Sequence, residues 1–305
     1  MKTAHRLGAC ALLAWTLAAS AQPSAAPEIF APGTISGPSN DADVSFSPDG
    51  TLLVFSRDGA VMLASRTPAG WSAPRIAPFS GQWMDAQPTL APDGSALVFV
   101  SNRPLAEGDA KHPAGNLWRV ERHGDDWGVP QHLPAVVNRG PSIWGPSVAA
   151  DGSLYFMDRV GGNGPFKLWR AQAQGGTWLA PVLQQLGDPA MQQVDPTVAP
   201  DESFIVFSTK HPSTQAESRL VISLRIDGRW SAPADLGDGV NHDGAEGPHL
   251  GPDGRTIFFD STATFVAPFP RTRAQTERDL ERARLWDNGN SHLWSVSLSP
   301  WLDGR

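Results

Sequence analysis

The stretch Ser47-Pro48-Asp49-Gly50-Thr51-Leu52-Leu53-Val54-Phe55 recurs with variations along the chain and decides the fold. Its core is an Asp-Gly pair followed by a short hydrophobic strand that ends in phenylalanine. The pair returns as Asp93-Gly94, Asp151-Gly152, Asp201-Glu202 and Asp253-Gly254, and the phenylalanines are Phe55, Phe99, Phe156, Phe207 and Phe259. The aspartate side chain caps such a turn and glycine accepts a positive φ, so we expect a β-hairpin at each copy.

Tryptophan is placed by the same repeat. Three copies carry Leu-Trp in a later strand, at 117–118, 168–169 and 293–294, and four copies end in Trp-x-x-Pro, which begins at Trp71, Trp127, Trp178 and Trp230. These two positions hold seven of the twelve tryptophans. Each copy therefore contains about four short strands with a tryptophan-rich signature, which favours a β-propeller over an ordinary β-sandwich.

The fifth copy is incomplete, because it lacks Trp-x-x-Pro and a last strand. The segment 27–36 precedes the first repeat at about the spacing that the last strands keep from their next repeat. We therefore predict an all-β, five-bladed β-propeller of four-stranded antiparallel blades, whose last blade is closed by this N-terminal strand. The blades are expected to start near 41, 85, 144, 194 and 245, within one propeller domain over 22–305. Ring closure removes exposed sheet edges.

The first 21 residues are typical of a secretory signal peptide. A positive segment with Lys2 and Arg6 precedes an apolar stretch over 7–18, and the small residues at 19–21 suit cleavage near Gln22. The apolar stretch is too short to span a bilayer, and no later one is long enough. We expect a periplasmic or secreted protein without a transmembrane segment.

Charge, cysteine content and missing motifs narrow the function. The net charge of −7 argues against a nucleic-acid partner held through its phosphates. The single cysteine, Cys10, lies at the front of the apolar stretch instead of after it, which disfavours a lipoprotein cleavage site, and its removal leaves no thiol. The chain has no G-x-S-x-G, H-E-x-x-H or phosphate-cradling glycine loop. Glycosidase chemistry stays open, since it needs only two suitably spaced carboxylates.

Binding is expected on one face of the ring. Strand directions put the connections between blades and the long loops on one face, here called the loop-rich face, and the Asp-Gly turns on the other, the turn-rich face. Residues just before each inner strand ring the channel mouth on the loop-rich face. The predicted binding residues are Asp41, Asp43, Asp85, Arg103, Trp144, Arg159, Asp195, His242, Glu246 and His249. Their carboxylates suit a cation, a sugar or the basic end of a peptide; the alternative is structural pairing with arginines.

Two further features have competing interpretations. His242, Asp243, Glu246 and His249 have the composition of a metal site, but their spacing matches no closed zinc pattern, and Asp41-x-Asp43 lacks the rest of a calcium loop. We predict no metal and no cofactor, with a divalent cation at the channel mouth as the alternative. The stretch 271–286 is predicted to be a helix, solvated on its blade or, alternatively, a lid or docking element.

A family resemblance rests on three copies of the repeat. Ser47-Pro48-Asp49-Gly50, Ala91-Pro92-Asp93-Gly94 and Gly251-Pro252-Asp253-Gly254, each followed by a strand ending in phenylalanine, resemble the repeats of TolB-type periplasmic propellers. The segment 241–248 also resembles a blade junction of such exported proteins. The resemblance implies the propeller fold, an envelope location and a binding or scaffolding role, without shared catalytic residues. TolB itself has six blades and an N-terminal α/β domain, so its partners are not transferred.

Two functions follow as hypotheses. The favoured one is a monomeric, non-enzymatic propeller that binds an envelope protein or peptide on its loop-rich face. The alternative is a carbohydrate-active hydrolase or lyase that acts on a glycan with Asp43, Asp195 and Glu246 as candidate catalytic carboxylates. Acids that are each held by an arginine would favour the first, and a carboxylate pair roughly 5 to 10 Å apart beside an open pocket would favour the second.

Overall fold

The computed structural model describes residues 26–106, 110–112, 114–210 and 217–303, and the predicted signal peptide lies outside them. The closing strand is β1 (Glu28–Ile29). Blade 1 contains β2 (Asp41–Phe46), β3 (Leu52–Arg57), β4 (Ala60–Thr67), β5 (Gly70–Trp71) and β6 (Arg75–Ile76). Blade 2 contains β7 (Asp85–Leu90), β8 (Ala96–Ser101), β9 (Asn116–His123), β10 (Asp126–Trp127) and β11 (Gln131–His132).

The remaining blades follow the same plan. Blade 3 contains β12 (Trp144–Val148), β13 (Leu154–Arg159), β14 (Phe166–Ala171), β15 (Ala173–Gln174), β16 (Thr177–Trp178) and β17 (Val182–Leu183), with a 3-10 turn over Val160–Gly162. Blade 4 contains β18 (Gln192–Val198), β19 (Phe204–Lys210), β20 (Arg219–Ile226), β21 (Arg229–Trp230) and β22 (Ala234–Asp235). Blade 5 contains β23 (Glu246–Leu250), β24 (Thr256–Ser261) and β25 (His292–Ser297), with helices α1 (Arg273–Leu285) and α2 (Ser299–Leu302).

This architecture confirms the predicted fold class: five antiparallel β-sheets form a five-bladed propeller. The inner strands of blades 4 and 5 begin at Gln192 and Glu246, where the sequence predicts 194 and 245. None of the helices in the described ranges has the length and apolar character needed to cross a membrane.

The Asp-Gly turns have the predicted mechanism. In every copy the aspartate Oδ1 accepts the backbone N–H two residues later, at 3.0 Å between Asp49 and Thr51 and 2.9 Å between Asp93 and Ser95. The same bond joins Asp151 to Ser153, Asp201 to Ser203 and Asp253 to Arg255. Glycine follows with a positive φ in blades 1, 2, 3 and 5. In blade 4 the residue at this position is Glu202, which adopts φ 58°. A side-chain cap and a left-handed residue therefore fold each pair of inner strands into a hairpin.

The N-terminal segment closes the ring as predicted. β1 pairs antiparallel with β25, so that Glu28 lies opposite Ser295 and Ile29 opposite Trp294. The Phe30 N–H then donates to the Leu293 carbonyl at 2.8 Å. The strand itself covers only 28–29, and a bridge between Pro32 and Ser36 follows it. The last blade thus joins the two ends of the described chain.

The core lies between neighbouring blades, in five clusters of buried side chains. The five phenylalanines that end the second strands, Phe55, Phe99, Phe156, Phe207 and Phe259, are at most 2% exposed. Burial of each such side chain contributes roughly 1.5 to 3 kcal/mol to folding. The repeated phenylalanine therefore stabilises the contact between blades and holds the channel walls in place.

Helix α1 lies at the outer part of blade 5. Thr272 is its N-cap, and Gln275 completes a capping box. None of its side chains is buried. Leu285 packs against the core between blades 4 and 5, in which the adjoining Trp286 is buried. The helix therefore meets the ring through its C-terminal end.

Candidate functional site

A β-bulge recurs near the start of each inner strand. The register shifts between Ala42 and Ser45 in blade 1 and at the equivalent place in the other four blades. One residue at each bulge has a positive φ: Asp43 at 56°, Gln87 at 51°, Gly145 at 60°, Asp195 at 49° and Gly247 at 55°. Bulges of this kind redirect side chains. A left-handed residue that is not glycine is also strained by about 1–3 kcal/mol, which is typical of functional positions.

Gln87 connects four blades through this ring of bulges. Its Nε2 donates to Asp195 Oδ1 at 2.7 Å, and its Oε1 accepts the Gly145 N–H at 2.8 Å. Its backbone N–H lies 3.3 Å from Asp43 Oδ2 and 3.1 Å from the Ser56 hydroxyl. The amide therefore crosses the channel in a fixed orientation. Sequence reasoning missed Gln87, although it occupies the same place in the repeat as Asp43 and Asp195.

Asp260 is a second residue that sequence reasoning missed. It lies in β24, opposite Glu246 of β23, and its Oδ1 is buried without a hydrogen-bond partner. A Cβ at position 247 would overlap this oxygen, so glycine at 247 makes room for the carboxyl group. The position directly after the conserved phenylalanine of the repeat carries Ser56, Val100, Met157, Ser208 and Asp260 in the five copies. The sequence signal for Asp260 is that only the fifth copy has a carboxylate at this position.

Asp43, Asp195, Glu246 and Asp260 form what we call the central acid cluster, contributed by blades 1, 4 and 5. Burial, followed by the nearby charges of Asp43 and Glu246, raises the pKa of Asp195 to about 7. Burial, followed by the charges of Asp43, Asp195 and Glu246, raises the pKa of Asp260 well above its usual range. Neighbouring carboxylates in a shielded site disfavour simultaneous ionisation. The cluster therefore retains protons near neutral pH.

Few cations compensate this cluster. Lys210 Nζ lies 3.8 Å from Glu246 Oε1, and His249 Nε2 lies 3.8 Å from Asp43 Oδ1. Within the described ranges, no arginine forms an ion pair with any of the four acids. The arrangement leaves an excess of negative charge at the mouth of the channel, which would attract a cationic group.

Two other predicted acids have a different surrounding. Asp41 and Asp85 are fully buried, and each is held by an arginine, at 2.6 Å from Arg57 and 2.8 Å from Arg103. The Arg57 guanidinium also donates to the Ile35 carbonyl at 2.8 Å. Asp41, Asp85 and Arg103 are thus engaged in buried pairs instead of lining the cluster. The bulges that follow Ala42 and Ala86 separate these acids from the channel-facing residues two positions later.

Three more predicted residues lie apart from the cluster. Trp144 Nε1 donates to the Ser142 hydroxyl at 2.7 Å, and its ring packs against the cores on both sides of blade 3. The Arg159 guanidinium lies over the Phe166 ring at 4.1 Å. His242 is exposed and lies 3.2 Å from the carboxylate of its neighbour Asp243. Of the ten predicted residues, the structure brings Asp43, Asp195, Glu246 and His249 together.

The channel continues below the cluster toward the turn-rich face. Four blades place a hydroxyl at one level, and each bonds to the backbone of the next blade: Ser45 to Leu90, Thr89 to Pro146, Ser147 to Val198 and Thr197 to Leu250, at 2.7–3.2 Å. Blade 5 has His249 at this level. A cavity of about 210 Å³ follows, lined by all five inner strands. His249 therefore lies between the central acid cluster and this cavity.

Metal binding receives no geometric support. In the part of the chain that the structure describes, no group of three or more His, Asp, Glu or Cys side chains is placed to hold a metal ion.

Comparison with solved structures finds the same class of fold. The putative TolB from Agrobacterium tumefaciens aligns over 85% of this chain and 91% of its own, at 16% identity and a TM-score of 0.51. TolB from Acinetobacter baumannii aligns over 73% of this chain at 13% identity and a TM-score of 0.47, and this chain spans 49% of that protein. A gluconolactonase from Xanthomonas campestris aligns over 78% of this chain and 80% of its own, at 13% identity and a TM-score of 0.48.

These similarities concern the fold. No protein-family model and no curated protein sequence matches this chain. The TolB-type resemblance predicted from the repeats is confirmed, because the chain is a five-bladed propeller whose structural neighbours include TolB proteins. A shared propeller does not transfer an activity, since unrelated functions use this scaffold.

Proposed function

We propose that the chain is an exported, monomeric binding propeller that takes a cationic group of an envelope protein or peptide at its channel mouth. The observation that supports this is the central acid cluster. Lys210 lies 3.8 Å from Glu246 and His249 lies 3.8 Å from Asp43, and no basic side chain among the described residues forms an ion pair with Asp195 or Asp260. An ammonium or guanidinium group entering the cluster would replace the missing positive charge. Its arrival would also favour release of the protons held by Asp195 and Asp260.

The size of the effect follows from Coulomb's law. A cation about 4 Å from one carboxylate gains about 4 kcal/mol at an effective dielectric constant of about 20. Partial hydration of the mouth reduces this value. We therefore expect the loss of one carboxylate to weaken binding at least tenfold, which corresponds to about 1.4 kcal/mol.

The test uses peptides from candidate envelope partners on an array, each printed with its lysine and arginine residues intact and with norleucine and citrulline in their place. Wild-type protein should retain only the cationic peptides, and Asp43→Asn and Glu246→Gln should weaken this binding at least tenfold. Asp125→Asn is the matched control, because Asp125 is an exposed acid outside the cluster. Equal binding of charged and neutral peptides, or equal losses in all three variants, would reject the proposal.

A carbohydrate-active hydrolase or lyase is the second candidate. Within the described ranges no arginine pairs with the four acids of the central acid cluster, whereas acids each held by an arginine are what the sequence predicts for a binding propeller. The pKa of Asp195, raised to about 7 by burial and then by Asp43 and Glu246, suits a general acid at neutral pH with a second carboxyl group beside it. Asp195 would protonate the leaving oxygen, and Asp43 or Glu246 would act as base or nucleophile.

Glycan turnover separates the two candidates. Release of new reducing or unsaturated ends from a polysaccharide panel by wild-type protein, lost in Asp195→Asn, would support the enzyme. Turnover that persists in an Asp195→Asn, Glu246→Gln variant would exclude these residues. No turnover together with cation-dependent peptide binding would support the binding propeller alone.

A further inference from the structure

A second concave surface lies on the turn-rich face, between blades 2 and 3. The cleft measures about 540 Å³ and is bordered by the Asp-Gly turns of both blades, by Arg119 and by Trp178. Ligand pockets of folded proteins measure roughly 300–1,000 Å³, so the cleft has a suitable size. None of its lining residues belongs to the central acid cluster, which faces the opposite side of the ring.

The repeat explains why this cleft is open. At the junction of blades 5 and 1 the same wedge is filled by Phe46 and Phe258, whose ring centroids are 4.7 Å apart, and Trp71 lies 6.0 Å from Phe46. Counted from the Asp-Gly turns, the residue equivalent to Phe46 is Val148 and the residue equivalent to Phe258 is Val98. Two valines thus stand at this junction where the junction of blades 5 and 1 has two phenylalanines, and both valines line the cleft.

Trp178 is held as a wall of the cleft. Its Nε1 donates to the Gly152 carbonyl at 3.1 Å, which fixes the indole orientation. Two tryptophans of the Trp-x-x-Pro series contact aromatic rings: Trp71 lies 6.0 Å from Phe46, and Trp127 lies 5.3 Å from Phe79. Among the described residues, no aromatic ring packs against Trp178. The surrounding positions are small instead: Ala149, Ala150, Ala173, Gly175 and Gly176.

Polar groups border the same cleft. Asp93 Oδ1 accepts from Ser95, and its other carboxylate oxygen retains acceptor capacity. Asp151 Oδ2 accepts from the Ser153 hydroxyl at 2.9 Å and lies 3.3 Å from Arg170, so it is already partly neutralised. The Arg119 guanidinium is paired with Glu121. The border therefore offers donors and acceptors without a large excess of either charge.

We propose that this cleft binds one sugar ring of a neutral glycan. A pyranose presents a flat face of C–H groups, which fits the fixed indole of Trp178, and a rim of hydroxyls that donate to Asp93 and Asp151 and accept from Arg119. The balanced charges disfavour a phosphate or a strongly cationic ligand. The small residues leave room for a flat ring. The cleft shares Ala91, Pro92 and Val148 with the channel cavity, but none of its residues belongs to the central acid cluster, so the proposal does not rest on the function proposed for the channel mouth.

The test exploits the repeat itself. Cellotetraose and chitotetraose serve as probes, and binding is measured by calorimetry and by tryptophan fluorescence. We expect Val148→Phe, which restores the residue found at the filled junction, to weaken binding at least tenfold without lowering the melting temperature. Trp178→Ala should weaken binding by a similar factor. Asp125→Asn is the control, because Asp125 is an exposed acid outside both the cleft and the central acid cluster, and it should leave sugar binding unchanged.

Three outcomes would overturn the proposal. One is the absence of binding to wild-type protein at millimolar concentrations of both sugars. Another is sugar binding that Val148→Phe leaves unchanged. The third is that wild-type protein binds a peptide instead of a sugar, and that Val148→Phe abolishes this peptide binding. Since Val148→Phe should leave cationic-peptide binding at the channel mouth intact, the failure of this proposal is distinct from failure of the proposed function.

Discussion

The stability of this protein should fall as the pH rises from 5 to 7, and Asp195 should cause a measurable part of that fall. In the folded chain, burial and then the charges of Asp43 and Glu246 raise the pKa of Asp195 from 3.8 to about 7. The folded state therefore binds a proton between these two values that the unfolded state has released. Stability due to this group is present at low pH and is lost as the pH rises through the folded pKa.

The magnitude follows from the two pKa values. Between pH 5 and pH 7, a single carboxyl with an unfolded pKa of 3.8 and a folded pKa of about 7 changes the free energy of unfolding by about 2 kcal/mol. The turn-capping acids do not interfere in this window. Hydrogen bonds from Ser47 and Thr51 lower the pKa of Asp49 to about 2, so its contribution is lost only below about pH 4.

The perturbation is Asp195→Asn, which is neutral at every pH. Asparagine tolerates the left-handed backbone at this position, and its Oδ1 can still accept from Gln87 Nε2, now at 2.7 Å. Urea unfolding of wild-type and variant protein at pH 5, 6, 7 and 8 gives the free energy of unfolding. We expect the difference between the two proteins to shift by about 2 kcal/mol in favour of the variant from pH 5 to pH 7.

Comparing the pH dependence of the variant's free energy of unfolding with that of the wild type removes the contribution of titratable groups that both proteins share. Burial lowers the pKa of His132 and His292, so these histidines stabilise the fold increasingly as the pH rises, but equally in both proteins. Asp125→Asn controls for a change in net charge and should parallel the wild type. Identical pH profiles for Asp195→Asn and wild type would refute the reasoning, as would a variant that loses stability relative to wild type when the pH rises.

Two further predictions concern the structure around the cluster. Gly247→Ala should lower the free energy of unfolding by more than the roughly 1–3 kcal/mol expected of a strained backbone alone, because the new Cβ overlaps Asp260 Oδ1. Gly228→Ala is its matched control: φ is also positive there, at 76°, but the Cβ would meet no atom within 4 Å, so equal losses in urea unfolding would contradict the packing argument. Arg103→Ala should lower stability by about 3–5 kcal/mol, because it leaves the buried Asp85 carboxylate with the Ser80 hydroxyl as a donor but without its cation. Thermal unfolding should show this loss, while peptide binding at the mouth of the folded variant stays within twofold. A loss below about 1 kcal/mol would mean that Asp85 finds water or another donor.

Much of the fold could be predicted from the sequence, because the interactions that determine it are between residues close together in the chain. The Asp-Gly turns depend on a side chain that bonds two residues ahead and on a left-handed residue next to it, so five copies of one short pattern predict five hairpins. Ring closure was also readable, since it depends on spacing along the chain. The limits of individual strands were harder to predict from the sequence. The predicted closing segment 27–36 contains only a two-residue strand, because Pro32 and Gly33 turn the chain away.

The candidate site was only partly readable. Asp43 and Asp195 could be placed at the channel mouth from their position before the inner strands. Asp41 is two residues from Asp43 and looks equivalent in the sequence, yet it is buried against Arg57. The bulge between Ala42 and Ser45 decides this difference, since it turns Asp43 into the channel with φ 56°.

The sequence by itself determined the repeat, the number of blades and how the ring closes, because hairpins and spacing are properties of neighbouring residues. Only the tertiary structure decided which acids share the central cluster and which junction stays open. Asp260 of blade 5 lies near Asp43 because ring closure places blade 5 beside blade 1, and near Asp195 because blade 4 is the other neighbour of blade 5. The cleft at Trp178 likewise depends on side chains from two blades, Val98 and Val148, that no single copy of the repeat contains.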